Sequence, residues 1–199
     1  EHSYATILER LTKKAVRMQI PIGLEENHEG VVDLLTMKAY YFEGDMGNKV
    51  IEKDLSAEAG ISEELKADAE KYRNELVEKI VETDEVMMTE YLEGMIPSFD
   101  VLKKTLRKAV IANEIFPVFA GSALKNKGVQ LILDAVIDYL PAPTDIAAIS
   151  GIDPDNDDAV IVRHASDKEP FAALAFKVAT DPFVGQLIFF RVYSGTLTA

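Results

Sequence analysis

Cysteine is absent from all 199 residues, and with it any disulfide framework, thiolate metal site or cysteine nucleophile. Histidine occurs only at His2, His28 and His164, with neither metal-ligand spacing nor a Ser or Asp partner pattern, so all three read as surface or structural residues. No apolar run reaches the roughly 18 residues of a membrane span, and no charged-then-apolar leader opens the chain, so a soluble, cytoplasmic protein without membrane contact is expected. Basic residues are few: 21 Lys and Arg against 34 Asp and Glu leave a net charge of −13, which disfavours broad nucleic-acid binding and favours a basic protein partner. Also missing is any Gly-x-x-x-x-Gly-Lys-Ser/Thr loop, and no Asp-x-x-Gly stands before a helix. The Asn-Lys pairs at 48–49 and 126–127 lack a following x-Asp. The chain therefore has no recognisable cradle for nucleotide phosphates or their magnesium. Paired carboxylates are plentiful, but in so acidic a chain they do not indicate a hydrolase. Glu1 is not an initiator and Ala199 directly follows a strand, so the chain is expected to be an excerpt of a longer protein.

What is present is organised around residues 115 to 145, IFPVFAGSALKNKGVQLILDAVIDYLPAPTD. Ile115 to Ala120 is a short, almost wholly apolar run that predicts a strand covered on both faces, and Pro117 places it at a sheet edge. From Val129 the apolar residues fall at Val129, Ile132, Leu133, Val136, Ile137 and Leu140, which predicts a helix with one broad apolar face, ended by Pro141 and Pro143. Between them lies the loop Gly121 to Gly128, whose glycines and small side chains would let a ligand approach the backbone at the strand-to-helix position where open α/β sheets bind nucleotides. An ordinary βα turn with Asn126 as helix cap fits the same loop.

Upstream, Ile7, Leu8, Leu11, Ala15 and Met18 share one helical face, predicting a helix over 3–18 that leads into a strand at Gln19 to Ile22. Residues 30–42 read as strands of a small sheet, with a turn at Gly44 and Gly47-Asn48. A helix follows from Ser62 to about Glu82, its inward stripe formed by Leu65, Ala69, Tyr72, Leu76 and Ile80 and widened by Val77 and Val81. Glu78, Glu82 and Glu85 project together if that helix continues through Asp84; such a row is either a solvated face or a docking surface. A short helix from Asp84 to Leu92 ends at Gly94, and Ser98 caps a third from Phe99 to about Asn113. Lys103, Lys104, Arg107 and Lys108 give the third helix a basic patch, fit to pair with the acidic helix, to keep the surface solvated or to meet RNA. Residues 142–169 lose periodicity and read as a linker or irregular crossover. Asp153, Asp155 and Asp157 alternate like the start of a calcium loop, but Asp158 and His164 occupy the positions of its required Gly and Glu. From Phe171 two strands follow, FAALAFKVA and QLIFFRVYSGTL, joined by Thr180 to Gly185.

The wording and order of several segments, GSALKNKGVQLILDAVIDYLP above all, resemble the elongation factor G family of translational GTPases. PIG at 21–23, GVVDLLTMKAYYF at 30–42, YLEG at 91–94 and AALAFKVATDPFVGQLIFFRVYSGTL at 172–197 extend the resemblance nearly end to end. It implies an α/β fold with an α+β insert, divided as follows. Residues 1–18 would be the closing helix region of a partial GTPase domain, and 19–113 the inserted G' subdomain. Residues 114–146 would supply that domain's last edge strand, guanine loop and final helix, 147–170 a linker, and 171–199 the first strands of a β-barrel second domain that cannot close within this chain.

By the same resemblance Ser122, Ala123 and Leu124 lie against a guanine base, the Ala123 N–H bonding the base oxygen, and Lys125 flanks it. Glu78, Glu82 and Glu85 would dock the basic C-terminal domain of the ribosomal stalk protein. The implied parent uses GTP and magnesium on the ribosome to drive translocation of tRNA and mRNA. This piece, lacking the phosphate loop, the switch and the Asn-Lys-x-Asp motif, is expected to hold no cofactor and to have no activity alone. A release-factor or tetracycline-protection GTPase is the alternative parent, and an acidic protein-binding adaptor the alternative function.

Overall fold

A computed structural model describes residues 2–56, 60–153 and 155–198, apart from the side chains of Asp157 and Asp158. The chain is mixed α/β, with several small sheets and five helices among the described residues, and it divides into two compact units, Glu1–Leu140 and Pro141–Ala199.

The first unit opens with helix α1, His2–Arg10, shorter than the period of its apolar residues predicts. After a turn at Lys13 and Lys14 the chain is extended: β1 is Ala15–Arg17 and β2 is Gln19–Ile22. Ala15 and Met18, expected on a helical face, are buried from extended backbone, while Leu11 is exposed. A spacing of three and four residues did not discriminate here, because the apolar positions of a twisted strand pair satisfied it equally well. β2 then joins β3 (Gly30–Asp33), β4 (Lys38–Glu43) and β5 (Lys49–Asp54) in a four-stranded antiparallel meander, as the sequence predicts for 30–42 and its turn.

Helix α2, Glu63–Val81, starts at Ser62, whose hydroxyl accepts from the Leu65 N–H at 3.1 Å. Ala69, Leu76, Val77, Ile80 and Val81 are buried and Leu65 and Tyr72 pack beside them, so the expected stripe is the one that faces the core. The Asp84 carboxylate caps α3, Glu85–Leu92, by accepting from the Met87 N–H; α4 follows at Phe99–Ile111 and packs Leu102, Leu106 and Ala109 against α2. The chain then returns as β6, Phe116–Val118, running parallel to β1. Pro117 stands opposite Val16, and β6 has no second strand neighbour among the described residues, so it is an edge. It is not covered on both faces: Phe116 is exposed, and only Ile115 just before it is buried.

Helix α5, Val129–Tyr139, forms where the sequence predicts it, but leaves most of its apolar face uncovered. Its apolar side, with Ile132, Leu133, Val136 and Ile137, faces outward, and Ile137 is 76% exposed. The residues it buries are Ala135 and Tyr139, which flank that side next to Ile132, and α5 packs against α4. Arg107 of α4 donates to the carbonyls of Ile137 and Asp138 at the C-terminal end of α5, and Lys103 pairs with Asp138 at 2.7 Å. Cations at that helix end meet both the unpaired carbonyls and the negative dipole. The basic patch of α4 thus serves mainly to hold α5, with Lys108 facing Asp84 at 3.9 Å.

In the second unit, residues 142–169 are not an irregular crossover. They contain a hairpin of β7, Ile149–Asp153, and β8, Asn156–Arg163, whose β-branched Ile and Val residues outweigh the Asp-rich turn. Asp153 Oδ1 accepts from the Asp155 N–H at 3.0 Å, so this aspartate shapes the turn. β9, Ala172–Asp181, and β10, Gly185–Ser194, form the expected second hairpin, with register shifts after Phe189 and Val192. Among the described residues no helix is long and apolar enough to cross a membrane.

Candidate functional site

The loop between β6 and α5 is a compact turn closed on itself. Ser122 and Lys127 exchange backbone bonds of 2.8 and 3.0 Å, and Asn126 donates to the Ala123 carbonyl at 3.2 Å. Gly121 and Gly128 are where this closure needs glycine: a Cβ on Gly121 would lie 2.7 Å from the Lys127 carbonyl oxygen, and Gly128 has φ of 86°. The close approach that the glycines permit is therefore made by the loop's own backbone. Gly128, not Asn126, occupies the cap position of α5, and no side chain caps the helix there.

This closure leaves two amides of the loop without partners inside it. Among the described residues neither the Ala123 nor the Leu124 N–H meets an acceptor, and both residues are exposed, Leu124 by 86%. Ser122 is half-buried, its hydroxyl 3.4 Å from the Lys125 N–H. Ser122, Ala123, Leu124 and Lys125 thus stand together on one turn, offering two adjacent backbone donors, an apolar side chain and a cation. That set suits a planar ligand edge with a carbonyl acceptor.

The residues behind the loop were missed by sequence reasoning. Lys127 Nζ donates to the His28 carbonyl at 2.6 Å, and Lys125 Nζ lies 3.5 Å from the Glu26 carbonyl, both on the turn between β2 and β3. Gln130 donates to the Gly47 carbonyl at 3.0 Å. The Gln19 side chain is 3.4 Å from the Ala120 N–H. His28, read as a surface or structural residue, is buried, and burial followed by the charge of Lys127 holds its imidazole below the ordinary range. Contacts that span 99 residues of chain leave no local signal in a sequence.

The acidic row is divided between elements. α2 stops at Val81, Glu82 is its C-terminal cap, and Glu85 opens α3 after the Asp84 cap, so the three glutamates do not share one helix. Glu82 and Glu85 line an open cleft of about 420 Å3 together with Glu114, and Lys13, Lys14 and Lys79 line it too. Glu78 is exposed on α2 but is not part of that lining. Lys79 pairs with Glu82 at 2.7 Å, and Lys14 Nζ donates to the Asn113 carbonyl at 2.9 Å. Among the described residues Glu78 and Glu85 have no ion-pair partner. These two are therefore more available to a cationic partner than Glu82.

No family model matches the chain. It is similar to a protein from Thermus thermophilus of known crystal structure, with a TM-score of 0.68 and 26% identity over 96% of this chain. The chain spans 25% of the length of that protein.

Proposed function

We propose that this chain is a piece of a translational GTPase of the elongation factor G type. In this reading it contributes one wall of the guanine site and a docking surface for the ribosomal stalk. The observation that carries the reading is the Ser122–Lys125 turn at a strand-to-helix junction, with Ala123 and Leu124 exposed and their N–H groups without acceptors among the described residues. A guanine O6 would accept from that pair, whereas adenine offers a donor amine at the same edge and would be rejected. Residues 19–113 are, in this reading, the inserted G' subdomain, and β9 with β10 the first strands of a β-barrel. The match of motif wording along the chain supports it, as does the presence of the β2–β5 sheet and helices α2 to α4 between two parallel strands, β1 and β6.

Taken alone the chain would hydrolyse nothing. Hydrolysis needs backbone donors and magnesium around the phosphates, and these belong to a loop and switch that the sequence does not contain. GTP and magnesium would be bound, and the ribosome engaged, by the longer parent.

Docking is tested directly with this chain. Titrating it with the isolated C-terminal domain of the ribosomal stalk protein should give binding that weakens with salt, and reversing Glu78, Glu82 and Glu85 to lysine should abolish it. Glu85→Lys alone should weaken binding more than Glu82→Lys, because Glu82 already pairs with Lys79. Affinity unchanged by the triple reversal would remove the docking reading.

A further inference from the structure

The loop between β6 and α5 is held from outside by four points, all on the small sheet and its turns. Lys125 and Lys127 reach the carbonyls of Glu26 and His28, on the β2–β3 turn. Gln130 reaches the Gly47 carbonyl, on the β4–β5 turn. At Gly47 itself a Cβ would lie 3.0 and 3.1 Å from the carbonyl oxygens of Asn126 and Lys125, so the loop's backbone rests on that glycine. Both supporting turns come from the four-stranded sheet, and the hydrogen bonds that reach them span 83 to 99 residues of chain.

We propose that the β2–β5 sheet acts as a clamp that fixes the shape of the Ser122–Lys127 loop, with Lys127 and Gln130 as its positioning residues. The Ser122–Lys127 bridge is a single pair of backbone bonds, and a two-bond turn is marginal unless something holds its flanks. Lys127 supplies that hold: its backbone closes the bridge while its ammonium is fixed on the β2–β3 turn. The Gln130 amide fixes the first turn of α5 to the β4–β5 turn in the same way. The placement of the Ala123 and Leu124 donors is thereby set by the sheet. This placement matters for binding only under the purine reading of the loop; the clamp stands without it.

The test is amide hydrogen exchange on the 199-residue chain. Lys127→Met keeps the aliphatic stem and removes the ammonium. It should speed exchange at the Ser122, Asn126 and Lys127 amides about tenfold while the amides of Leu76 and Ile80 in α2 stay within about twofold. Gln130→Ala should give the same pattern more weakly. Exchange unchanged in both variants, or raised equally in α2, would overturn the clamp.

Guanosine added to the wild-type chain, with adenosine as control, separates the two readings. Guanosine shifts at Ala123 and Leu124 that weaken in Lys127→Met support both. No response in the wild-type chain, with the expected exchange pattern, leaves the clamp and removes the guanine reading. Equal responses in wild type and both variants, with exchange unchanged, remove the clamp alone.

Discussion

Asp33 shows how much a single side chain fixes in the first unit. Its Oδ1 accepts from the Leu35 N–H at 3.1 Å, the Thr36 N–H at 2.8 Å and the Thr36 hydroxyl at 2.9 Å, closing the β3–β4 turn. Burial raises its carboxyl above the ordinary range despite these bonds. Asp33→Ala should therefore lower stability by about 1–3 kcal/mol, since it strands two amide donors, while Asp33→Asn keeps an acceptor and should lose less. Urea unfolding of the two variants decides this, and equal losses would show that the charge and not the acceptor matters. His28 gives a pH dependence of the same origin, burial disfavouring the charged form, with a shift in the other direction. Its imidazole is held below the ordinary value of about 6.5 by burial, with Lys127 and Lys125 adding to it. The unfolded chain then binds the proton more readily than the folded one. The contribution of neutral His28 is complete above about pH 6.5 and is lost as the pH falls below it toward the folded value. The stability difference between wild type and His28→Asn should shrink across that interval, and a flat difference would contradict the assignment.

At the scale of elements, α5 carries the clearest consequence. Because Leu133 and Ile137 face outward, Ile137→Gln should change the stability of this chain by less than about 0.5 kcal/mol. Leu106→Ala in α4, at a fully buried position, should lower it by about 2–5 kcal/mol, with chemical unfolding as the measure. A large loss at Ile137 would mean that its apolar face is covered in solution. This helix also marks the limit of what the sequence can say. Periodicity located α5 to within a residue and picked out its apolar face, yet it carries no information on which neighbour that face meets. In α2 the same pattern predicted the packing correctly, because α4, α3 and β1 supply the partners within the chain. β1 was hidden for a related reason, since a three-residue strand paired about 100 residues away has no local period to read. The loop residues Ser122 to Lys125 were legible as a turn between a strand and a helix. Their support by Lys127, Gln130 and Gly47 was not.

At the scale of the whole chain, the two units differ in what can hold them. Every large buried apolar side chain among the described residues falls between Ala15 and Tyr139, and nearly all of them join one cluster built from the sheet, α2, α3, α4 and α5. The second unit is two antiparallel hairpins, and the long one exposes Leu174, Phe176 and Val178 on one strand and Ile188, Phe189 and Phe190 on the other. A two-stranded ribbon exposed on both faces has too little burial to offset its chain entropy. The cooperative unfolding of this protein must therefore come from residues before Pro141. A chain ended at Leu140 should retain the main thermal transition within about 2 °C of the full chain, followed by circular dichroism at the helical band. The complementary piece from Pro141 should show no cooperative transition and should associate as its concentration rises, through the unpaired edges and apolar faces of its ribbons. Loss of the transition in the first piece, or a sharp one in the second, would relocate the core out of the first unit.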